Sequence, residues 1–266
     1  MFTHGNGLCV QSYQPMLGRL EAQADIHALN LRGHGGSSVP ESIEGWGVYE
    51  ADMLAYLRAN LKTPVMLAGH SMGAILSLKL ACDHPDLVKG LLLLEPPLLA
   101  GWQEAWPGWD NPGQKAFLEQ TENRRAHWPD RSEAMAYLSE RGIYRNWHPG
   151  ALERFGACGL KDTAGGGVEL ACPPWLEVAN FQGHPGARVF DWAGRVRTPS
   201  VLMYGEHTHL SAKGVNDLAG LLPVAVLYVA EGGHVFPMEH PEQAGTLCAQ
   251  GLEILLGYPG PFPDSD

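Results

Sequence analysis

Ser71 is the residue of this chain most clearly placed to do chemistry. It lies in Gly69-His70-Ser71-Met72-Gly73, a G-x-S-x-G pattern. The apolar run Val65-Met66-Leu67-Ala68, of strand length, leads into it, and Ala74-Ile75-Leu76-Ser77-Leu78-Lys79-Leu80-Ala81 follows with a helical character. A serine on a sharp strand-to-helix turn has a strained backbone, so its neighbours must lack side chains. Its hydroxyl then stands clear above a sheet, with the amide of Met72 directed at the space where an oxyanion would form. The chemistry this predicts is nucleophilic attack on a carbonyl. Glu95 is the second residue of interest. It follows Leu91-Leu92-Leu93-Leu94, a run bounded by Gly90 and Pro96. Such a run reads as a strand buried on both faces, and its carboxyl end is where open α/β sheets place their sites.

The elements that must position these residues follow an alternating strand and helix rhythm. His4-Gly5-Asn6-Gly7 is a glycine-rich turn, and Gln11 to Leu20 is predicted helical from the stripe Tyr13, Met16, Leu17, Leu20. Asp25 to Leu31 is a strand candidate ending in the loop Arg32-Gly33-His34-Gly35-Gly36-Ser37, and Trp46 to Leu61 is a helix. Beyond Leu98 the rhythm stops until Pro199. Every tryptophan except Trp46 falls between these points (Trp102, Trp106, Trp109, Trp128, Trp147, Trp175, Trp192), with short helices expected at Ala134 to Glu140 and Pro149 to Phe155. This segment reads as an inserted helical lid. Its tryptophans either cover a substrate or form the lid's own small core. The rhythm returns with strands at Pro199 to Gly205 and Val224 to Val229, the loop Gly232-Gly233-His234-Val235-Phe236-Pro237, and a helix from Pro241 to Leu256. The Pro/Gly-rich tail from Gly257 is expected to be loose.

Composition excludes several classes of function. The chain has 266 residues, 45% hydrophobic, enough for a large α/β core. A formal charge of −11 without a Lys/Arg run argues against nucleic acid or an anionic membrane surface as partner. No apolar stretch approaches the roughly 18 residues of a membrane span, and no secretory pattern follows Met1. Cys9, Cys82, Cys158, Cys172 and Cys248 are scattered and read as reduced thiols in a cytoplasmic protein. No histidine pair has metal-ligand spacing, so neither a metal nor a cofactor is expected.

Taken in order, these motifs resemble the α/β-hydrolase superfamily. His4-Gly5-Asn6-Gly7 is similar to its oxyanion loop, and Leu31 to Ser37 to the loop after the next strand. Gly69-Ser71-Gly73 is similar to its nucleophile elbow, and Gly233-His234 with Pro237-Met238-Glu239 to its histidine loop. The resemblance implies a mostly parallel sheet flanked by helices, with residues 1–97 and 193–266 as the core and 98–192 as a helical lid (cap). It also implies acyl transfer, with Ser71 as nucleophile, His234 as general base and acid, and a carboxylate orienting His234. The backbone amides of Asn6 and Met72 would stabilise the oxyanion. Asn6 could instead offer its side-chain amide to the substrate, or be a turn former. Gly5, His70 and Trp102 are candidates to line the substrate site, and His70 could equally pack beside the elbow.

Two departures from the family pattern stand out. The commoner acid lies in a Gly-x-x-Asp after the penultimate strand, whereas here Gly205-Glu206-His207-Thr208 puts threonine in that place. The acid is then Glu95, the placement of the haloalkane-dehalogenase branch, or alternatively Glu206. The superfamily also commonly has two strands and a hairpin before the oxyanion loop, which this chain reaches at His4. A misassigned start, a truncation or a sheet lacking an edge would each account for this.

Serine at position 71 argues against dehalogenation and epoxide opening, because a serine ether would be a dead end where an aspartyl ester can be hydrolysed. The leading expectation is hydrolysis of a carboxylic ester, thioester or lactone with an apolar or aromatic group. Carbon–carbon hydrolysis of a diketone-type substrate, cofactor-free oxygenation and a non-catalytic ligand-binding module are the alternatives.

Overall fold

The computed structural model describes residues 1–62, 64–98, 112–209 and 212–257. Trp102, Trp106 and Trp109, the start of the expected lid and nearly all of the tail lie outside them. The main sheet uses β1 (Phe2–Thr3), β2 (Ala28–Leu29), β3 (Val65–His70), β4 (Val88–Leu94), β8 (Ser200–Gly205) and β9 (Val224–Ala230), in the order β2-β1-β3-β4-β8-β9. Every pairing in it is parallel. Between β4 and β8 the chain forms a separate antiparallel sheet from β5 (His127–Trp128), β6 (Leu160–Asp162) and β7 (Val168–Leu170).

The leucine run shows why the main sheet is covered on both faces. Successive strand residues point to opposite sides. Leu91 and Leu93 join Leu202 and Tyr204 in one core, with the helices Gly47–Asn60, Met72–Asp83, Arg188–Ala193 and Ala212–Leu221. Leu92 and Leu94 join Val201 and Met203 in the other, with residues of Gln14–Leu17 and Pro241–Leu256. Truncating one of these leucines to alanine would cost about 2–5 kcal/mol.

Several expected elements take a different form. Gln11 to Leu20 is a chain of short turns, with 3-10 segments Val10–Tyr13 and Gly18–Leu20 around Gln14–Leu17, and Pro15 in the first turn of that central piece. The strand expected from Asp25 to Leu31 is paired only at Ala28 and Leu29.

The inserted segment is not purely helical, since it carries the β5-β7-β6 sheet beside helices Pro112–Glu122, Arg131–Ser139, Pro149–Cys158 and Pro174–Gln182. Trp128 and Trp147 are buried with Tyr144 and Phe155 in a core continuous with Tyr13, Phe236 and Met238. These two tryptophans therefore fill a core that the insertion shares with the parallel-sheet unit, while Trp175 is 39% exposed. The boundary at 192 also moves. Val189, Phe190 and Trp192 of Arg188–Ala193 pack in the elbow-helix core, so that helix belongs with the main sheet.

Candidate active site

The parallel register brings the carboxyl ends of five strands to one rim. Thr3 pairs with Gly69, His70 with Leu94, Leu94 with Met203, and Gly205 with Ala230. The residues that follow these ends are His4–Gly7, Ser71, Glu95, Glu206–Thr208 and His234. They come together because the strands stop together.

At the elbow Ser71 has φ 54 and ψ −118. Ser71 and Glu95 (φ 49) are the non-glycine residues with positive φ among the described residues. Both are held in a costly conformation at the same rim. The flanking glycines are sterically required. A Cβ on Gly69 would lie 2.2 Å from the Gly73 carbonyl oxygen, and one on Gly73 would lie 2.3 Å from that of Thr3.

Ser71 Oγ is 3.0 Å from His234 Nε2, and His234 Nδ1 is 2.9 Å from Glu95 Oε2. A carboxylate only accepts, so Nδ1 carries the proton and Nε2 is left to accept from the serine hydroxyl. Glu95 is fully buried. Its Oε1 accepts from the Gly205 amide at 2.6 Å, and its Oε2 also accepts from Thr208 Oγ1 at 2.8 Å. Burial pushes the Glu95 carboxyl up, while the Gly205 amide and the Thr208 hydroxyl pull it back toward the ionised form. Burial pulls the His234 imidazole below its ordinary range, and the nearby His209 ring adds to this. His234 is therefore neutral at pH 7.

The oxyanion-loop residues lie beside the elbow. A Cβ on Gly5 would be 3.2 Å from Ser71 Cβ. The backbone amides of Asn6 and Met72 donate to no backbone or side-chain acceptor among the described residues. The Asn6 side chain is committed elsewhere. Its Nδ2 donates to the Glu177 carbonyl at 2.9 Å and its Oδ1 accepts from Asn180 Nδ2 at 2.8 Å, which ties the loop to the helix Pro174–Gln182. The option of its side-chain amide binding substrate is thereby replaced by a structural clasp.

His70 does not line a site. It is fully buried, with Nε2 donating to the His234 carbonyl at 2.7 Å and Nδ1 accepting from Tyr13 Oη at 2.6 Å. Tyr13 Oη in turn accepts from the Gly5 amide at 3.2 Å. His4 and His34 are also buried and neutral, each donating from Nδ1 to a carbonyl and accepting a backbone amide at Nε2. Glu206 does not approach the imidazole of His234. Its side chain is 48% exposed and faces His207 Nε2 at 3.4 Å. Among the described residues, no group of three His, Cys, Asp or Glu side chains converges as a metal set.

Sequence reading missed Thr208 and Tyr13 as parts of this site. Thr208 was visible only as a departure from the expected Asp. Tyr13 looked like one more apolar position of a helical stripe.

Residues 1–241 match the α/β hydrolase fold family, and the chain belongs to it. Among curated relatives, it is 27% identical to the pimeloyl-[acyl-carrier protein] methyl ester esterase of Chromobacterium violaceum, over 94% of this chain and 92% of that protein. It is 26% identical to a type I acyl-CoA thioesterase of Penicillium roqueforti, over 60% of this chain and 39% of that one. Among solved structures, E-2-(acetamidomethylene)succinate hydrolase superposes with a TM-score of 0.76 at 23% identity, covering 95% of this chain and 90% of that one. A thioesterase domain from the curacin biosynthetic pathway gives 0.73 at 20%, covering 94% and 89%. Esterases and thioesterases are thus prominent among the proteins this chain resembles.

Proposed function

We propose that the protein is a serine hydrolase that cleaves a carboxylic ester or thioester through an acyl-enzyme, with Ser71, His234 and Glu95 as the triad. The observation that carries this reading is the aligned pair of contacts, 3.0 Å from Ser71 Oγ to His234 Nε2 and 2.9 Å from His234 Nδ1 to Glu95 Oε2. The esterase and thioesterase relatives support it.

Ser71 Oγ attacks the carbonyl carbon while His234 Nε2 takes the hydroxyl proton. The amides of Asn6 and Met72 hold the oxyanion. As the tetrahedral intermediate collapses, the bond to the alkoxy or thiolate group breaks and His234 returns the proton to that leaving group. Water then attacks the acyl-serine with His234 again as base, the carboxylic acid departs and Ser71 recovers its proton. Glu95 remains ionised throughout, fixing the imidazole tautomer and stabilising the imidazolium. The reaction needs no cofactor and no metal. The described part of the inserted segment, from Pro112 onward, serves as a cap tied to the loop of Asn6 through Glu177 and Asn180, and the substrate is a small molecule with an apolar or aromatic group.

The test is hydrolysis of p-nitrophenyl butyrate by the wild type, S71A, E95Q and E206Q. Loss of turnover in S71A and E95Q, with E206Q retained, is the expected pattern. Damage confined to E206Q would move the acid to the later loop. An unaffected S71A would remove the acyl-enzyme.

A further inference from the structure

Both oxygens of the Glu95 carboxylate are held by a single turn. The Gly205 amide reaches Oε1 at 2.6 Å, the Thr208 hydroxyl reaches Oε2 at 2.8 Å, and the turn is closed by the Thr208 amide on the Gly205 carbonyl at 3.1 Å. The same turn is packed on the histidine loop, since a Cβ on Gly205 would lie 2.5 Å from the carbonyl oxygens of both Gly232 and Gly233. The carboxylate is thus clamped at two points by a segment that also sets the height of His234. Thr208 supplies the side-chain half of the clamp, on the oxygen that faces His234 Nδ1.

We propose that Thr208 is a positioning residue of this site. Its hydroxyl holds Glu95 Oε2 in line with His234 Nδ1 and keeps a fully buried carboxylate ready to receive the imidazolium charge. The proposal rests on the reading of Glu95 as the orienting acid. Without the hydroxyl, Oε1 keeps only the Gly205 amide and Oε2 only the His234 Nδ1 proton, so the line from Oε2 to the imidazole loses the donor that fixes it independently of His234. A buried carboxylate that loses one of its few donors is also poorly compensated. The consequence falls on kcat, because Thr208 acts through the charge that develops on His234, while KM is untouched.

The pH profile separates positioning from simple packing. The titratable groups facing Glu95 are His234, His209, His70 and Tyr204. Removing the hydroxyl makes protonated Glu95 relatively more favourable. It also leaves a less satisfied carboxylate facing His234, which favours imidazolium. Both changes move the acid limb of the rate profile to higher pH.

The experiment is the pH dependence of kcat and KM for p-nitrophenyl butyrate in wild type, T208V, T208A, T208S and E95Q, with the thermal midpoint of each. The expected result is a kcat loss of about 10-fold or more in T208V and T208A, unchanged KM and an acid limb displaced upward. T208S, which keeps the donor, should recover most of the loss. If T208V and T208A keep the wild-type kcat and acid limb while E95Q is inactive, Thr208 has no positioning role. If E95Q itself turns over like wild type, the reading of Glu95 fails and takes this proposal with it.

Discussion

His70 Nε2 donates to the main-chain carbonyl of His234 at 2.7 Å, so the residue preceding the elbow serine holds the loop that carries its partner histidine. On its other nitrogen His70 accepts from Tyr13, which accepts from Gly5 of the oxyanion loop. Three loops at the rim are therefore linked by one buried chain of hydrogen bonds, and the link runs through side chains that face no solvent.

Cutting that chain at Tyr13 orphans two buried groups together, the Gly5 amide and His70 Nδ1. Y13F should lose about 2–4 kcal/mol of stability. It should also lose activity, because the oxyanion loop and the histidine loop no longer share a support. Urea unfolding of Y13F against wild type measures the first effect, and p-nitrophenyl ester turnover the second. An unchanged unfolding midpoint would mean that the chain bears no load.

At Gly73, the added methyl of G73A would have to sit 2.3 Å from the Thr3 carbonyl oxygen, a backbone atom of strand β1, which pairs on both sides. Neither side can yield without moving the elbow away from the oxyanion loop. Overpacking of this kind costs about 1–3 kcal/mol, and the displaced Ser71 should lose most of its turnover. Thermal unfolding and turnover of G73A give the check, and wild-type values for both would contradict the packing described.

Acid should destabilise the fold earlier than carboxylate protonation alone predicts. Burial lowers His34 to about 4 and His70, His184 and His234 to about 3, and takes His4 well below its ordinary 6.5. As pH falls below 6.5 the unfolded chain takes up protons that the folded chain refuses, so stability drops through the interval from 6.5 down to about 3–4. Each such group contributes up to about 1.4 kcal/mol per pH unit. Glu95 and Glu177, pushed up by burial, act in the opposite sense, but two carboxyls oppose five histidines. Urea midpoints at pH 7, 6 and 5 should fall steadily, whereas equal midpoints at pH 7 and 5 would contradict the buried neutral assignments.

Much of this site could be read in the sequence because its strongest signals are local. The elbow needs a strand, two glycines and a helix in immediate succession, and the Leu91–Leu94 run declares a strand buried on both faces and its end at Glu95. Longer-range features were less legible. Thr208 gains its meaning from a carboxylate 113 positions away, and the Asn6 clasp depends on a helix 174 positions away. The stripe Tyr13, Met16, Leu17, Leu20 predicts one helix, but Pro15 and Gly18 divide it into short turns, and an apolar stripe carries no sign of the hydrogen bonds its phenol makes. The β5-β7-β6 sheet is not legible in the sequence because strands of two or three residues have no periodicity to detect.

Thr208 stands where the commoner family arrangement carries its acid, and its hydroxyl already touches Glu95 Oε2. A carboxylate at 208 would reach toward His234 Nδ1 from the same side. T208D should therefore restore turnover to E95Q by about 10-fold or more, measured as kcat on p-nitrophenyl butyrate. A double variant no better than E95Q would show that the two positions do not give equivalent access to the imidazole.

If Ser71 carries the acyl group, the protein itself is transiently modified during turnover. Wild type mixed with p-nitrophenyl butyrate and quenched in acid should show by intact mass a single added butyryl group. Peptide mapping should place it on Ser71, and S71A should show none. Turnover by wild type with no adduct and no pre-steady-state burst, or an adduct on a different residue that persists in S71A, would contradict the account.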